Sequence, residues 1–326
     1  MLGGHPRNGS NDRRRGKMIR IGGAVLAAFW FAVMAPAAAQ APVAAPTPGM
    51  VQVPPMDKRL TPKELEDMKQ TEKLQPQIDR CVNKDRTFSP DHQIAACTAA
   101  IASGHWRDNF IAWAYSNRGL AYSGKGDHAR AMADLDKAIE LDPGMAHAYY
   151  NRGNVFSSKH DYDHAIADFD KAISINPIYA DAYKNRGVAY EKAGNIDRAM
   201  ADFDKAVELQ PNNPVFLNSR CWARGVEGRD LQKALDDCNA ALKIAPGSAY
   251  VLNSRGMVQI KAGKYEQAIE DFSTAIHEDA KDADSLYARG VARVKVGDTR
   301  GGGVDIAAAT AINPEIANIW ARYGVK

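Results

Sequence analysis

The chain has 326 residues, 45% of them apolar and 25% charged, which is the composition of a folded soluble protein large enough for one large domain or two ordinary ones. Its formal charge of +3 is lodged at one end: residues 1–39 hold Arg7, Arg13, Arg14, Arg15, Lys17 and Arg20 against Asp12 alone, so the rest of the chain carries −2. That removes the electropositive footprint of a nucleic-acid binder, and DNA and RNA are not expected as partners.

In chain order, the basic residues come first and are followed by the apolar run IGGAVLAAFWFAVM (21–34) and by APAAAQ. Basic, apolar, then small is the order of a secretory signal peptide, and the run is shorter than the roughly 20 residues a membrane-spanning helix requires. Residues 1–39 are therefore expected to be removed after Ala39, leaving a periplasmic or secreted protein, with a retained anchor as the alternative and Met18 as an alternative start. Residues 40–60 are rich in Pro and Ala without an apolar period, as in a semi-rigid tether. Residues 61–111 hold a helix start at TPKELEDMKQ, then a degenerate leading unit from about 74 to 107 with a four-residue insertion near SGHWRDNF.

From there the chain repeats itself. Arginine recurs at Arg118, Arg152, Arg186, Arg220, Arg255 and Arg289, in steps of 34, 34, 34, 35 and 34 residues. Aspartate keeps the same beat at Asp134, Asp168, Asp202, Asp237, Asp271 and Asp305, and proline at Pro143, Pro177, Pro211, Pro246 and Pro314. Within a unit, AHAYYNRGNVFSSK has helical spacing, HDY breaks it, and DHAIADFDKAISI resumes it, so each unit reads as helix, turn, helix. The break is usually glycine (Gly126, Gly194, Gly228, Gly263, Gly297), with His160 standing in once. The constant spacing sets each Arg on the first helix opposite the Asp on the second, so Arg118–Asp134, Arg152–Asp168, Arg186–Asp202, Arg220–Asp237, Arg255–Asp271 and Arg289–Asp305 are expected as structural salt bridges.

The pattern Tyr149-x2-Arg152-Gly153-x2-Phe156, Ala165-x3-Phe169, Pro177, echoed by Tyr183, Gly187, Tyr190, Ala199, Phe203 and Pro211, resembles the tetratricopeptide repeat, with arginine in place of the usual leucine before the glycine. The resemblance implies an all-α, right-handed α-solenoid of stacked helix-turn-helix units: six of them over 112–316, and a C-terminal capping helix over 317–326 with Trp320 and Gly324 in first-helix positions.

It also gives the cysteines a role. Cys221 stands in the first-helix glycine position and Cys238 in the second-helix phenylalanine position, and Cys81 and Cys97 fall in those same two positions of the leading unit. The two positions face each other in the family, which implies structural disulfides Cys81–Cys97 and Cys221–Cys238 in an exported protein. No CxxC or mixed Cys/His spacing favours a redox or metal centre.

The family binds protein segments on the concave wall of first helices. Transferred by position, that wall is Tyr150 and Asn154, Lys184 and Val188, Asn218 and Trp222, Asn253 and Met257, Tyr287 and Val291. Val188 stands where a carboxylate clamp would want asparagine, so capture of a chain terminus is not expected. His160 and His164 beside Asp161 and Asp163 read as turn residues and not as a metal site, and RGGG (300–303) lacks the lysine and hydroxyl of a phosphate loop. The repeats fill the chain and leave no room for a catalytic domain. A non-catalytic scaffold of the bacterial envelope is expected, with no cofactor, metal or small-molecule substrate; a redox- or metal-handling factor is the alternative.

Overall fold

The computed structural model describes residues 75–83, 87–104 and 108–326. The expected signal segment, the tether and the start of the leading unit lie outside the described residues. Among the described residues every regular element is a helix. These are α1 (75–82), α2 (Pro90–Ala102), α3 (Asp108–Gly124), α4 (His128–Leu141), α5 (Ala146–Ser158), α6 (Tyr162–Ile175), α7 (Ala180–Lys192), α8 (Ile196–Leu209), α9 (Pro214–Glu227), α10 (Leu231–Ile244), α11 (Ala249–Lys261), α12 (Tyr265–Glu278), α13 (Ala283–Lys295), α14 (Thr299–Ile312) and α15 (Ile316–Arg322). From α3 to α14, odd-numbered helices are the first of each unit and even-numbered ones the second. No helix among the described residues is long and apolar enough to cross a membrane.

The turn inside a unit follows from local chemistry. Gly126, Gly194, Gly263 and Gly297 adopt φ of 76°, 80°, 72° and 95°, and His160 takes the same left-handed conformation at 61°. After four of these five the next residue caps the second helix: Asp127, Asp161, Asn195 and Asp298 accept the backbone N–H of Arg130, His164, Arg198 and Gly301, whereas Lys264 makes no such bond. Each such cap stabilises its helix by about 1 kcal/mol. The RGGG run is the first turn of α14.

The two helices of a unit close on a small-against-large contact. A methyl group on Gly153 would lie 2.8 Å from the buried ring of Phe169, and one on Gly256 would lie 2.6 Å from Phe272, so only glycine permits this approach. In the fourth unit the two positions are joined covalently, Cys221 to Cys238 with sulfurs 1.98 Å apart, and Cys81 is joined to Cys97 at 2.05 Å in the leading unit. The extra residue of the fourth unit is absorbed in α9, which runs 14 residues where α5, α7, α11 and α13 run 13.

Every repeated arginine grips its aspartate with two hydrogen bonds, Nε and Nη2 lying 2.6 to 2.8 Å from the two carboxylate oxygens. The six aspartate side chains are between 6% and 10% exposed. The third nitrogen reaches backward to the preceding unit: Nη1 donates to Thr98, Asp136, Asp170, Asp204, Asn239 and Ser273 in turn. Each arginine thus ties its own hairpin and also joins it to the unit before, the nearest-neighbour coupling on which a stacked array depends. This second role was not read from the sequence, although its signal was present in the D-x-D of DLDK and DFDK.

The C-terminal helix departs from the stack. At the other unit boundaries from α4 onward four residues separate one hairpin from the next, as in α12 ending at Glu278 and α13 starting at Ala283; α14 ends at Ile312 and α15 starts at Ile316, leaving three. Where a capping helix with Trp320 and Gly324 in first-helix positions was expected at the end of the stack, α15 folds back onto α13 and α14. Trp320 lies 6.2 Å from Phe272 and 6.3 Å from Tyr287 between ring centres, and its indole N–H donates to Asp284 at 2.8 Å. Tyr323 stands edge-on to Trp222 of α9 at 5.3 Å.

Candidate functional site

The first helices of successive units lie side by side and are laced by polar side chains. Asn151 Nδ2 donates to Ser116 Oγ at 3.2 Å, Asn185 Nδ2 to Tyr150 Oη at 3.0 Å and Asn154 Oδ1 at 2.6 Å, and Asn253 Nδ2 to Ser285 Oγ at 3.2 Å. The residues assigned to this face by position divide into two groups. Tyr150, Asn154, Lys184, Val188, Asn218, Trp222 and Asn253 are half-buried. Tyr150 is partly structural, its ring packed 4.9 Å from Tyr179 and 5.9 Å from Phe169. Burial holds the Lys184 ammonium below its ordinary pKa, against the opposing charge of Asp181.

Met257, Tyr287 and Val291 form the second group and correct the positional assignment. They are 0%, 7% and 5% exposed, inside one apolar cluster with Ile316, Trp320 and Val325. A first-helix face is available only where nothing lies on it, and here α15 and the residues after it do. Trp222, Ile319 and Tyr323 pack at the margin of the same cluster.

Between the open and the covered stretches lies a cleft of about 540 Å³, bordered by Asn218 and Trp222 of α9, Tyr250 and Asn253 of α11, Asp284 of α13, and Ile319 and Tyr323. Tyr250 is 49% exposed at its rim. The side-chain oxygen of Asn218 is buried and accepts no hydrogen bond, and an unsatisfied buried acceptor costs about 1 to 3 kcal/mol. The carboxyl of Glu191 is pushed above the ordinary glutamate range chiefly by burial and further by Glu227, while Lys192 and the polar Trp222 indole N–H oppose the shift. Neither Glu191 nor the unpartnered oxygen of Asn218 was anticipated, because neither residue type departs from what a solvated helix face would carry.

The cysteines offer no exposed chemistry: all four are paired and buried. His160 Nδ1 lies 2.9 Å from Tyr162 Oη, and His164 Nδ1 lies 2.8 Å from Asp161. Among the described residues no group of three or more His, Cys, Asp or Glu could hold a metal ion.

Tetratricopeptide-repeat family models match residues 112–145, 146–179 and 180–213, and again 254–298. The unmatched stretch between them includes the unit in which both packing positions are cysteine and one residue is added. No curated protein sequence matches the chain. Among solved structures, the type IV pilus biogenesis factor PilW is similar at a TM-score of 0.58 and 19% identity, covering 64% of this chain and 98% of that one. A tetratricopeptide repeat protein from Parabacteroides merdae gives 0.57 and 16%, covering 78% and 98%, and pilF of Pseudomonas aeruginosa 0.56 and 18%, covering 66% and 98%. At these identities the likeness is one of fold. The repeat matches, the paired helices and the superhelical neighbours agree: this chain belongs to the tetratricopeptide-repeat family and has its all-α solenoid fold.

Proposed function

We propose that this protein is a non-catalytic adaptor of the bacterial cell envelope that holds a segment of a partner protein against its first-helix face. Proteins of this family generally mediate protein–protein interaction, and the cleft at Asn218 and Trp222 suits that use. The observation that carries the reading is the unsatisfied oxygen of Asn218 beside an indole. An extended or helical segment entering there supplies a donor to the amide and a side chain to stack on Trp222.

Export belongs to the same proposal. It is supported by the basic, apolar, small-residue order ending at Ala39 and by four cysteines closed into two disulfides, the usage of an oxidising compartment. N-terminal sequencing of the purified envelope protein should begin at Gln40; an intact residue 1–39 segment in the membrane fraction overturns that part. For the groove, replacing Trp222 and Asn218 together with alanine should weaken capture of envelope partners by about 2 kcal/mol or more while the helical circular dichroism stays unchanged. Equal capture by the folded variant overturns the assignment and moves it to the outer face of second helices.

A further inference from the structure

The position of α15 bears on how that groove is used. We propose that residues 316–325 are an internal occupant of the groove, seated where a partner's short amphipathic helix with aliphatic and aromatic anchors docks, so that the partner binds by displacing them. The proposal rests on the groove reading above and adds to it the class of partner and the means of regulation.

Two observations carry it. The segment has the form of a groove ligand: Ile316, Trp320 and Tyr323 fall at i, i+4 and i+7 on one face, Ile316 and Trp320 fully buried, while Ala317, Asn318 and Arg322 face solvent. Its helix is seated on α13 and α14, touching Asp284 and Tyr287 of α13, and the residues after it reach Trp222 of α9 at Tyr323 and Lys261 of α11 at Gly324.

A tethered occupant competes at the high effective concentration set by its short connection, here Asn313 to Glu315. A partner sees only the fraction of molecules whose groove is open, and its apparent affinity falls by that fraction. Tyr323 is the part of the segment nearest the open half of the groove. Its ring is only half-buried, so it can lift off Trp222 while Trp320 remains seated.

The test uses the full chain and a fluorescent peptide of residues 316–326 as the probe, read by anisotropy. Tyr323→Ala, and Trp320→Ala with Tyr323→Ala, should bind the peptide at least about tenfold more tightly than the unaltered chain. Adding Trp222→Ala should abolish the gain. If the double variant fails to fold, Tyr323→Ala alone carries the comparison, because it leaves the buried Trp320 in place. Equal binding by the unaltered and altered chains, or none by either, overturns the proposal and leaves the capture experiment at Trp222 and Asn218 untouched. An unaltered chain that is a dimer in solution, and becomes monomeric on Tyr323→Ala, overturns it in favour of exchange of this segment between two copies.

Discussion

The second and third units and the fifth and sixth are built on the same seam and present different faces. Arg152 and Arg186 grip Asp168 and Asp202 as Arg255 and Arg289 grip Asp271 and Asp305, with the same two-pronged geometry. Yet Tyr150, Asn154, Lys184 and Val188 remain in contact with solvent, whereas Met257, Tyr287 and Val291 are closed under Ile316, Trp320 and Val325. Repetition therefore specifies how units join, while the residues between the repeated positions, and whatever lies on them, specify what a unit can bind.

That contrast can be broken at its covered end first. Trp320→Ala empties the largest fully buried side chain from the cluster over the fifth and sixth units and should cost about 3 to 5 kcal/mol. Hydrogen exchange should show the loss in α11 to α14 and leave α3 to α8 protected, because an array transmits damage mainly to neighbouring units. Protection lost evenly along the chain would contradict the division.

At the open end, Arg186→Ala should cost about 3 kcal/mol in thermal or denaturant unfolding, since it leaves Asp202 buried and unpaired. Asp170→Ala removes only the backward arm, whose carboxylate side chain is 52% exposed, and should cost about 0.5 kcal/mol. The ratio of the two losses separates the hairpin role of the arginine from its role between units. Where the halves meet, replacing Cys221 and Cys238 with serine opens a 17-residue loop and should cost roughly 3 kcal/mol on the chain-entropy estimate, read as faster exchange in α9 and α10.

The smallest effect concerns Glu191. Its folded pKa is raised, so the folded state holds its proton more firmly than the unfolded chain, and stability declines as pH rises from about 4.5 through the folded value. Glu191→Gln removes that decline. The variant should gain thermal stability over the parent at neutral pH and lose the advantage near pH 4; an advantage that grows on acidification would reverse the sign and refute the burial argument.

Much of the molecule was legible because a repeat displays its constraints six times over. The glycine facing phenylalanine, the left-handed turn residue and the arginine facing aspartate each recur at a fixed interval, and the family resemblance put Cys221 opposite Cys238 although an added residue separates them by 17. The backward arm of each arginine was missed because its acceptor varies among Asp, Asn, Ser and Thr, so no single residue type marked it. Of the first-helix positions assigned by transfer, Tyr150, Asn154, Lys184, Val188, Asn218, Trp222 and Asn253 are half-buried.

Sequence by itself determined the unit, its turn and its neighbours, because those depend on contacts between residues a fixed number of positions apart. Only the tertiary structure decided where α15 goes. The apolar face formed by Ile316, Trp320 and Tyr323 is compatible both with the end of the stack and with the groove. The connection shortened by one residue and the indole bond to Asp284 set it in the groove, against residues that no periodicity relates to it.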